Sequence, residues 1–140
     1  MSKTYQETLR VRFRDTDSQG HMFFANYLVF ADEVAGHYML ELGFDWSDPQ
    51  NLPCYVFTAN ANCDYLHECH SGDEVRVEVA YERIGNTSAT LGFSMTRVSD
   101  NAALARGSFA QVFVDMETRK PCPVPETVRA MLSGVSIENT

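Results

Sequence analysis

One stretch of helical periodicity, followed by several stretches of strand periodicity, constrains the fold of this chain more than any other feature of its sequence. From residue 26 to residue 42, apolar side chains recur at spacings of three and four, which predicts a helix packed along one side. At about 1.5 Å per residue, such a helix is long enough to cross a small sheet. The positions in this stripe are Tyr27, Phe30, Ala31, Val34, Tyr38, Met39 and Leu42.

The residues around this stripe predict where the helix begins and ends. Asn26 is an acceptable N-cap, and Gly43 suits the C′ position just after the last turn. Gly36 lies in the helix interior, where a glycine costs about 1 kcal/mol relative to alanine. We therefore expect another backbone to approach the helix closely at Gly36.

The rest of the chain shows the alternation of strands. Residues 7–14 alternate at Leu9, Val11 and Phe13, which predicts a half-buried strand before the helix. Alternating or apolar stretches separated by turns predict further strands after the helix, and residues 126–132 predict a short terminal helix. The predicted strands after the helix cover residues 55–67, 74–84, 87–98 and 104–114.

This order of elements predicts an α+β fold, in which the turns between consecutive strands imply antiparallel pairing. The 140 residues suit a single domain covering residues 1–140. A single helix covers one face of a sheet, so the other face must be polar or find a partner. Aromatic residues at several strand positions favour a partner, and we expect at least a homodimer.

Composition narrows the classes of function. The net charge of −8 argues against nucleic acid as a partner, because such binding depends mainly on neutralising phosphates. No apolar run approaches the roughly 20 residues that cross a bilayer, and the start does not look like a secretory signal. A cytoplasmic location without membrane association is the expectation. The four cysteines have no disulfide-framework spacing and are expected to be free thiols.

Two aspartates stand directly ahead of the predicted helix. Asp15 and Asp17 lie in a segment that includes Gly20 and His21. The start of a helix presents unpaired N–H groups and the positive end of the peptide dipole, which keep a carboxylate ionised and polarise a carbonyl oxygen. This pattern indicates a hydrolytic site. From the loop alone, the interpretation that the two aspartates only cap a turn is favoured over a catalytic role.

These residues carry a resemblance to a known family. The stretch from Arg14 to His21, followed by Asn26 and Tyr27, resembles the hotdog-fold acyl-CoA thioesterases of the 4-hydroxybenzoyl-CoA thioesterase family. The resemblance extends over nearly the whole chain. Further matching segments are Asn62 to Leu66, Gly72 to Val75 and Gly85 to Ser88.

The resemblance implies a fold, an assembly and a set of site residues. The fold is an antiparallel sheet of about five strands wrapped around one long central helix, which dimerises edge to edge and often stacks into homotetramers. Active sites lie at the dimer interface, and no cofactor is needed. Asp17 is the implied nucleophile or general base for hydrolysis of an acyl-CoA or acyl-carrier thioester. The backbone N–H of Phe24 is implied to polarise the thioester carbonyl.

Other residues near the helix start are weaker candidates. His21 could orient Asp17 or protonate the leaving thiolate, or it could simply pack against a carbonyl group. Gly20, Asn26 and Tyr27 are candidate substrate contacts, although Asn26 could also act only as a cap and Tyr27 only as a core residue. Asp15 is expected to support the loop by accepting hydrogen bonds from backbone N–H groups.

Two other functions remain open at this point. A hotdog-fold enoyl-CoA hydratase or dehydratase would pair an acid such as Asp17 with a histidine such as His21. A non-catalytic acyl-binding dimer would need neither residue. A metal site is not expected, since Cys63, His67, Cys69 and His70 lack the paired spacing of zinc ligands.

Overall fold

The computed structural model describes residues 3–132, within which five strands form one antiparallel sheet. The sheet has the order β1-β3-β4-β5-β2, so β1 and β2 lie at its two edges. The α+β class and the sheet of about five strands around one long helix are confirmed. The strands are β1 Thr4–Arg10, β2 Tyr55–Tyr65, β3 Glu74–Ile84, β4 Ser88–Arg97 and β5 Ala103–Val114, and the helices are α1 Phe24–Glu41 and the short α2 Glu126–Arg129.

Helix α1 packs across one face of the sheet with the stripe that the sequence predicts. All seven predicted positions are buried, and Val34 and Tyr38 are fully enclosed. Alternate residues of β3 and β4 point at the helix and complete the core, which is why those strands alternate in sequence. Within the described part of the chain, no helix is both long enough and apolar enough to cross a membrane.

The end of α1 agrees with the sequence, but its start does not. Gly43 has a φ of 102°, and the N–H of Phe44 bonds to the carbonyl of Met39, so the predicted glycine stop is confirmed. The predicted N-cap is wrong, because α1 begins at Phe24 with Phe23 as its N-cap. Asn26 lies inside the first turn instead, where its side-chain amide donates to a loop carbonyl.

The first strand also differs from its predicted position. It covers Thr4–Arg10 instead of residues 7–14, because its pairing with β3 ends where Arg10 faces Glu74. The chain then turns away in a short 3-10 segment, Phe13–Asp15. Phe13 is consequently 84% exposed, although its alternation with Val11 predicts a buried side chain.

The group that approaches α1 at Gly36 is a side chain and not the expected backbone, and it leaves room for a Cβ atom. The indole N–H of Trp46 donates to the carbonyl oxygen of Gly36 at 2.9 Å. A Cβ atom at Gly36 would stand 3.7 Å from that indole nitrogen, an ordinary contact. The ring of Trp46 stacks on Phe44, with centroids 5.4 Å apart, and holds the loop after α1 against the helix.

Strand β2 leaves part of the inner surface of the sheet uncovered. Its register with β5 shifts between Thr58 and Asn60, which marks a bulge. Ala61 pairs with the inward-facing Phe109 and therefore points to the helix side, yet Ala61 and Thr58 are both exposed. A groove thus runs between α1 and β2 on the inner side of the sheet.

Candidate active site

The segment ahead of α1 is a tight hairpin that fixes Asp17 opposite His21. The N–H of Asp17 donates to the carbonyl of His21 at 3.1 Å, and the N–H of Gly20 donates to the carbonyl of Asp17 at 3.0 Å. Gly20 has a φ of 89°, the left-handed conformation that closes a three-residue hairpin loop. The local sequence therefore determines where the Asp17 side chain emerges.

The carboxylate of Asp17 is only partly used by the loop. Its Oδ1 accepts the backbone N–H of Gln19 at 2.9 Å, which closes a turn of the kind that aspartate often forms. Its Oδ2 makes no hydrogen bond to any residue in the range 3–132, and the side chain is half-buried. One carboxylate oxygen therefore remains available to a substrate or to a water molecule.

Asp15 joins this hairpin to the start of the helix. Its Oδ2 accepts the N–H of Arg12 at 2.8 Å, as expected for a residue that supports the loop. Its carbonyl oxygen accepts two further hydrogen bonds, one from the N–H of Phe23 and one from the side-chain amide of Asn26, both at 2.9 Å. The loop that carries Asp17 and the first turn of α1 are therefore held as one unit.

The first peptide groups of α1 offer free donors. The N–H groups of Phe24 and Ala25 have no acceptor among the described residues, as is usual at a helix start. The helix dipole adds partial positive charge at the same place. These groups can stabilise negative charge that develops on a carbonyl oxygen.

An aromatic cluster, formed by Phe23, Phe24, Tyr27 and Tyr65, surrounds this helix start. The ring of Tyr65 meets Phe24 and Tyr27 edge-on, with centroids 6.3 and 5.1 Å away. Phe24 is 62% exposed and Tyr65 46%, so the cluster presents an apolar surface beside the free N–H groups. The hydroxyl of Tyr65 also donates to the carbonyl of Phe24 at 3.0 Å. Tyr65 lies in a segment whose sequence resembles the family, but the sequence does not predict its contact with Phe24.

The remaining candidates have different surroundings. Tyr27 is buried, its hydroxyl donates to the carbonyl of His67 at 3.2 Å, and burial raises its pKa above the ordinary tyrosine value. The ring of His21 packs edge-on against His70, with centroids 6.2 Å apart. Neither ring nitrogen of His21 makes a hydrogen bond to residues 3–132, so no contact joins it to the carboxylate of Asp17.

The cysteine and histidine residues after β2 do not converge. Cys69 is buried, and its thiol contacts the hydroxyl of Tyr27 at 3.7 Å. His70 instead faces Glu68, with 2.9 Å between Nε2 and Oε2. Among residues 3–132, no group of three or more histidine, cysteine or acidic side chains is arranged to hold a metal ion.

A five-stranded antiparallel sheet around a long helix, with two aspartates in the loop ahead of that helix, is the architecture of the hotdog fold. The family model described as the Thioesterase-like superfamily matches residues 11–132, so the chain belongs to this family of thioester hydrolases. The resemblance seen in the sequence is thereby confirmed.

Similar proteins include enzymes that act on CoA thioesters. A 1,4-dihydroxy-2-naphthoyl-CoA hydrolase from Thermosynechococcus vestitus is 27% identical, covering 97% of this chain and 92% of its own length. The L-carnitine dehydrogenase/betainyl-CoA thioesterase of Ruegeria pomeroyi is 32% identical over 83% of this chain, a region that makes up 23% of that protein. A Staphylococcus aureus protein solved in complex with CoA has a TM-score of 0.84 at 22% identity, covering 94% of this chain and 84% of that one.

Proposed function

We propose that this chain hydrolyses an acyl-CoA thioester to a free acid and CoA, with Asp17 as nucleophile or general base and the N–H of Phe24 polarising the thioester carbonyl. The observation that carries the proposal is the link through Asp15. That residue ties the loop bearing the available Oδ2 of Asp17 to the helix start with its free N–H groups. A carboxylate and an oxyanion donor are thus held as one unit, which is what acyl transfer requires.

The carboxylate of Asp17 can hydrolyse a thioester in either of two ways. As a general base, Asp17 takes a proton from water while the water oxygen attacks the carbonyl carbon, and the CoA thiolate then leaves and is protonated. As a nucleophile, Asp17 attacks the carbonyl carbon itself and displaces the CoA thiolate, which is protonated, to form a mixed anhydride. Water then cleaves the anhydride, which releases the free acid and restores the carboxylate of Asp17. Thioesters are activated electrophiles with a good leaving group, so positioning supplies much of the rate.

The similar proteins support the substrate class. The Thermosynechococcus vestitus relative is a 1,4-dihydroxy-2-naphthoyl-CoA hydrolase, and the Ruegeria pomeroyi relative is an L-carnitine dehydrogenase and betainyl-CoA thioesterase. The structurally similar Staphylococcus aureus protein binds CoA. The aromatic cluster at the start of α1 offers the apolar surface that the acyl group would contact.

The proposal includes an edge-to-edge homodimer, with further stacking into a homotetramer. Strand β2 lies at an edge of the sheet, is eleven residues long and carries an exposed aromatic side chain at Phe57. A long edge strand presents a row of unpaired backbone groups, which is a template for pairing with a second chain. Pairing there would place the partner beside the groove between α1 and β2, and the second chain would complete the site.

Replacement of the proposed catalytic carboxylate tests the function directly. We expect Asp17→Asn to lower thiol release from a panel of aliphatic and aromatic acyl-CoAs by at least a hundredfold, with the fold intact by circular dichroism. Asp45→Asn is the matched control, because Oδ1 of Asp45 accepts the N–H of Ser47 at 3.0 Å in the same kind of turn. Equal activities of the two variants would show that Asp17 is only a turn residue.

The hydratase alternative has weaker support in the geometry. It needs Asp17 and His21 to act as an acid–base pair, and the ring of His21 packs on His70 instead. Loss of enoyl-CoA absorbance on incubation with the protein, without release of thiol, would favour the hydratase and refute the hydrolase.

A further inference from the structure

We infer that a cavity beside Trp46 is a distal acyl-binding subsite, which accepts the far end of a linear acyl chain and favours a chain carrying a hydroxyl group there. The inference rests on the proposed function for the identity of the ligand as an acyl group. Beyond that function, the acyl group would be linear, and Gln111 would form a hydrogen bond with its far end.

The cavity lies on the inner side of the sheet, between α1 and strands β2 and β5, and has a volume of about 320 Å³. Trp46 and Phe109 provide aromatic walls, and Ala35 and Gly36 leave room on the helix side because their side chains are small or absent. The other lining residues are Asp32, Met39, Val56, Thr58 and Gln111.

Inward-facing positions of β2 lead from this cavity toward the candidate active site. On the β2 side, inward-facing positions run from Thr58 at the cavity through Ala61 and Cys63 to Tyr65. Tyr65 packs against Phe24 at the start of the helix. A chain whose carbonyl group lies at the helix start can therefore extend along this groove.

The distance along α1 from the helix start to the cavity determines how long an acyl group must be to reach the cavity. The rise from Phe24 to Asp32 is about 12 Å at 1.5 Å per residue. A single ring attached directly to the thioester carbonyl is too short to reach from one position to the other. An extended aliphatic chain of medium length spans it.

Gln111 gives the cavity a buried polar group whose amide nitrogen has only a weak partner. It is the buried polar residue of the described core, only 5% exposed. Its Oε1 accepts the hydroxyl of Tyr81 at 2.6 Å, but its Nε2 donates to the sulfur of Met39 at 3.5 Å. A thioether is a weak acceptor, and the second amide N–H has no acceptor within residues 3–132. Burial of an amide is costly unless its hydrogen bonds are made, so an oxygen-bearing ligand would be stabilised here.

The opposite side of the cavity offers an acceptor. The carboxylate of Asp32 lines the cavity and makes no hydrogen bond or ion pair among residues 3–132. A hydroxyl group can accept from the amide of Gln111 and donate to Asp32, whereas a methyl group can do neither. The subsite therefore favours an acyl chain with a terminal hydroxyl group over an unsubstituted chain.

Trp46 provides a test that does not depend on catalysis. It is the only tryptophan of the chain and lines the cavity, so its fluorescence reports entry of a ligand. We expect ω-hydroxydecanoic acid to shift the emission with saturation and to bind about five- to tenfold more tightly than decanoic acid. Gln111→Met should abolish this preference while decanoic acid still binds.

Three further variants keep the result interpretable. Gln111→Met leaves the hydroxyl of Tyr81 without its acceptor, so the double variant Tyr81→Phe with Gln111→Met is measured alongside it to remove both groups. Thr58→Phe fills the cavity and should weaken binding of both acids. Thr90→Phe, on the outer face of the sheet between the buried Ala89 and Leu91, should change neither.

The outcomes separate the subsite from the proposed function. Hydrolysis of butanoyl-CoA by a protein whose Trp46 emission responds to neither acid would refute the subsite and leave the hydrolase standing. Binding of the hydroxy acid by a protein that releases no thiol from any acyl-CoA would refute the hydrolase and leave the subsite standing. An emission shift that follows protein concentration and not added acid would show that a second copy of the chain fills the cavity, which also overturns the inference.

Discussion

The hydroxyl of Tyr65 donates a hydrogen bond to the carbonyl oxygen of Phe24 at 3.0 Å, and this bond joins the last residue of β2 to the first residue of α1. The carbonyl belongs to the same peptide group as the free N–H of Ala25. Donation to a carbonyl polarises its peptide group and strengthens the N–H as a donor. Tyr65 therefore holds the first turn of α1 in place and polarises the N–H of Ala25, which lies next to the Phe24 N–H proposed to stabilise the oxyanion.

Tyr65→Phe keeps the aromatic ring and removes only this hydrogen bond. We expect kcat to fall about fivefold with little change in KM, since one such bond contributes about 1 kcal/mol. Steady-state thiol release with one acyl-CoA measures both constants. Tyr55→Phe, at the other end of β2, is the control and should match the wild type. An unchanged kcat in Tyr65→Phe would show that the bond serves packing alone.

Replacing two glycines of the helix region by alanine should change the free energy of unfolding in opposite directions. Gly36→Ala should raise the free energy of unfolding by about 0.5–1 kcal/mol, because the position is helical and its Cβ would make only an ordinary contact with Trp46. Gly43→Ala should lower it by about 1 kcal/mol, because φ at Gly43 is 102°. Urea denaturation measures both changes. A loss of stability in Gly36→Ala would mean that the helix and Trp46 pack more tightly than the structure shows.

Strand β2 is the proposed dimer edge, and Phe57 is its most informative residue. Phe57 is 47% exposed, and a lysine there would place a charge where a second chain must pair. We expect Phe57→Lys to dissociate the dimer in sedimentation equilibrium and to lower activity in parallel. Val98→Lys replaces an apolar side chain of similar exposure just after β4 and should do neither. A Phe57→Lys variant that keeps the mass of the dimer would place the interface elsewhere.

The first strand contains a hydrogen bond that should weaken in alkali. The hydroxyl of Tyr5 donates to Oε2 of Glu7 at 2.6 Å, and this bond, together with burial, raises the pKa of Tyr5 to about 12. The native state therefore holds the proton more tightly than the unfolded state, where the pKa is about 10. The stabilisation is complete below about pH 10 and is lost as the pH rises through about 12.

Tyr5→Phe tests this pH dependence. In urea titrations across that range, the free energy of unfolding of the wild type should fall more steeply with pH than that of the variant. Glu7→Leu, which removes the acceptor, should flatten the curve in the same way as Tyr5→Phe. Parallel curves for all three proteins would show that the hydrogen bond does not form in solution.

The features predicted correctly from the sequence are those set by neighbours along the chain. The stripe from Tyr27 to Leu42 follows from helical period, and the stop at Gly43 follows from a conformation that glycine favours. The start of α1 was missed because it depends on the carbonyl of Asp15, which receives the side-chain amide of Asn26 across the loop. No local signal in the sequence reports that bond.

Tyr65 and Gln111 were not identified from the sequence as site residues, for a related reason. The contact of Tyr65 with Phe24 exists only because the end of β2 lies beside the start of α1, a tertiary arrangement. Gln111 did leave a signal, since it stands at an inward position between Phe109 and Phe113. A polar residue in the apolar phase of a strand could have been singled out as a candidate ligand contact.

The groove between α1 and β2 is open along an edge of the sheet, and this has a consequence for how substrate preference can change. In the proposed dimer, the second copy that pairs with β2 would form the other wall of the groove. The width of the groove would then depend on the crossing of the two copies as well as on residues such as Thr58 and Ala61. Substitutions at the pairing edge can then retune the length of acyl chain accepted while every groove residue stays the same. Two proteins with the same groove residues but different pairing edges would then accept acyl chains of different lengths.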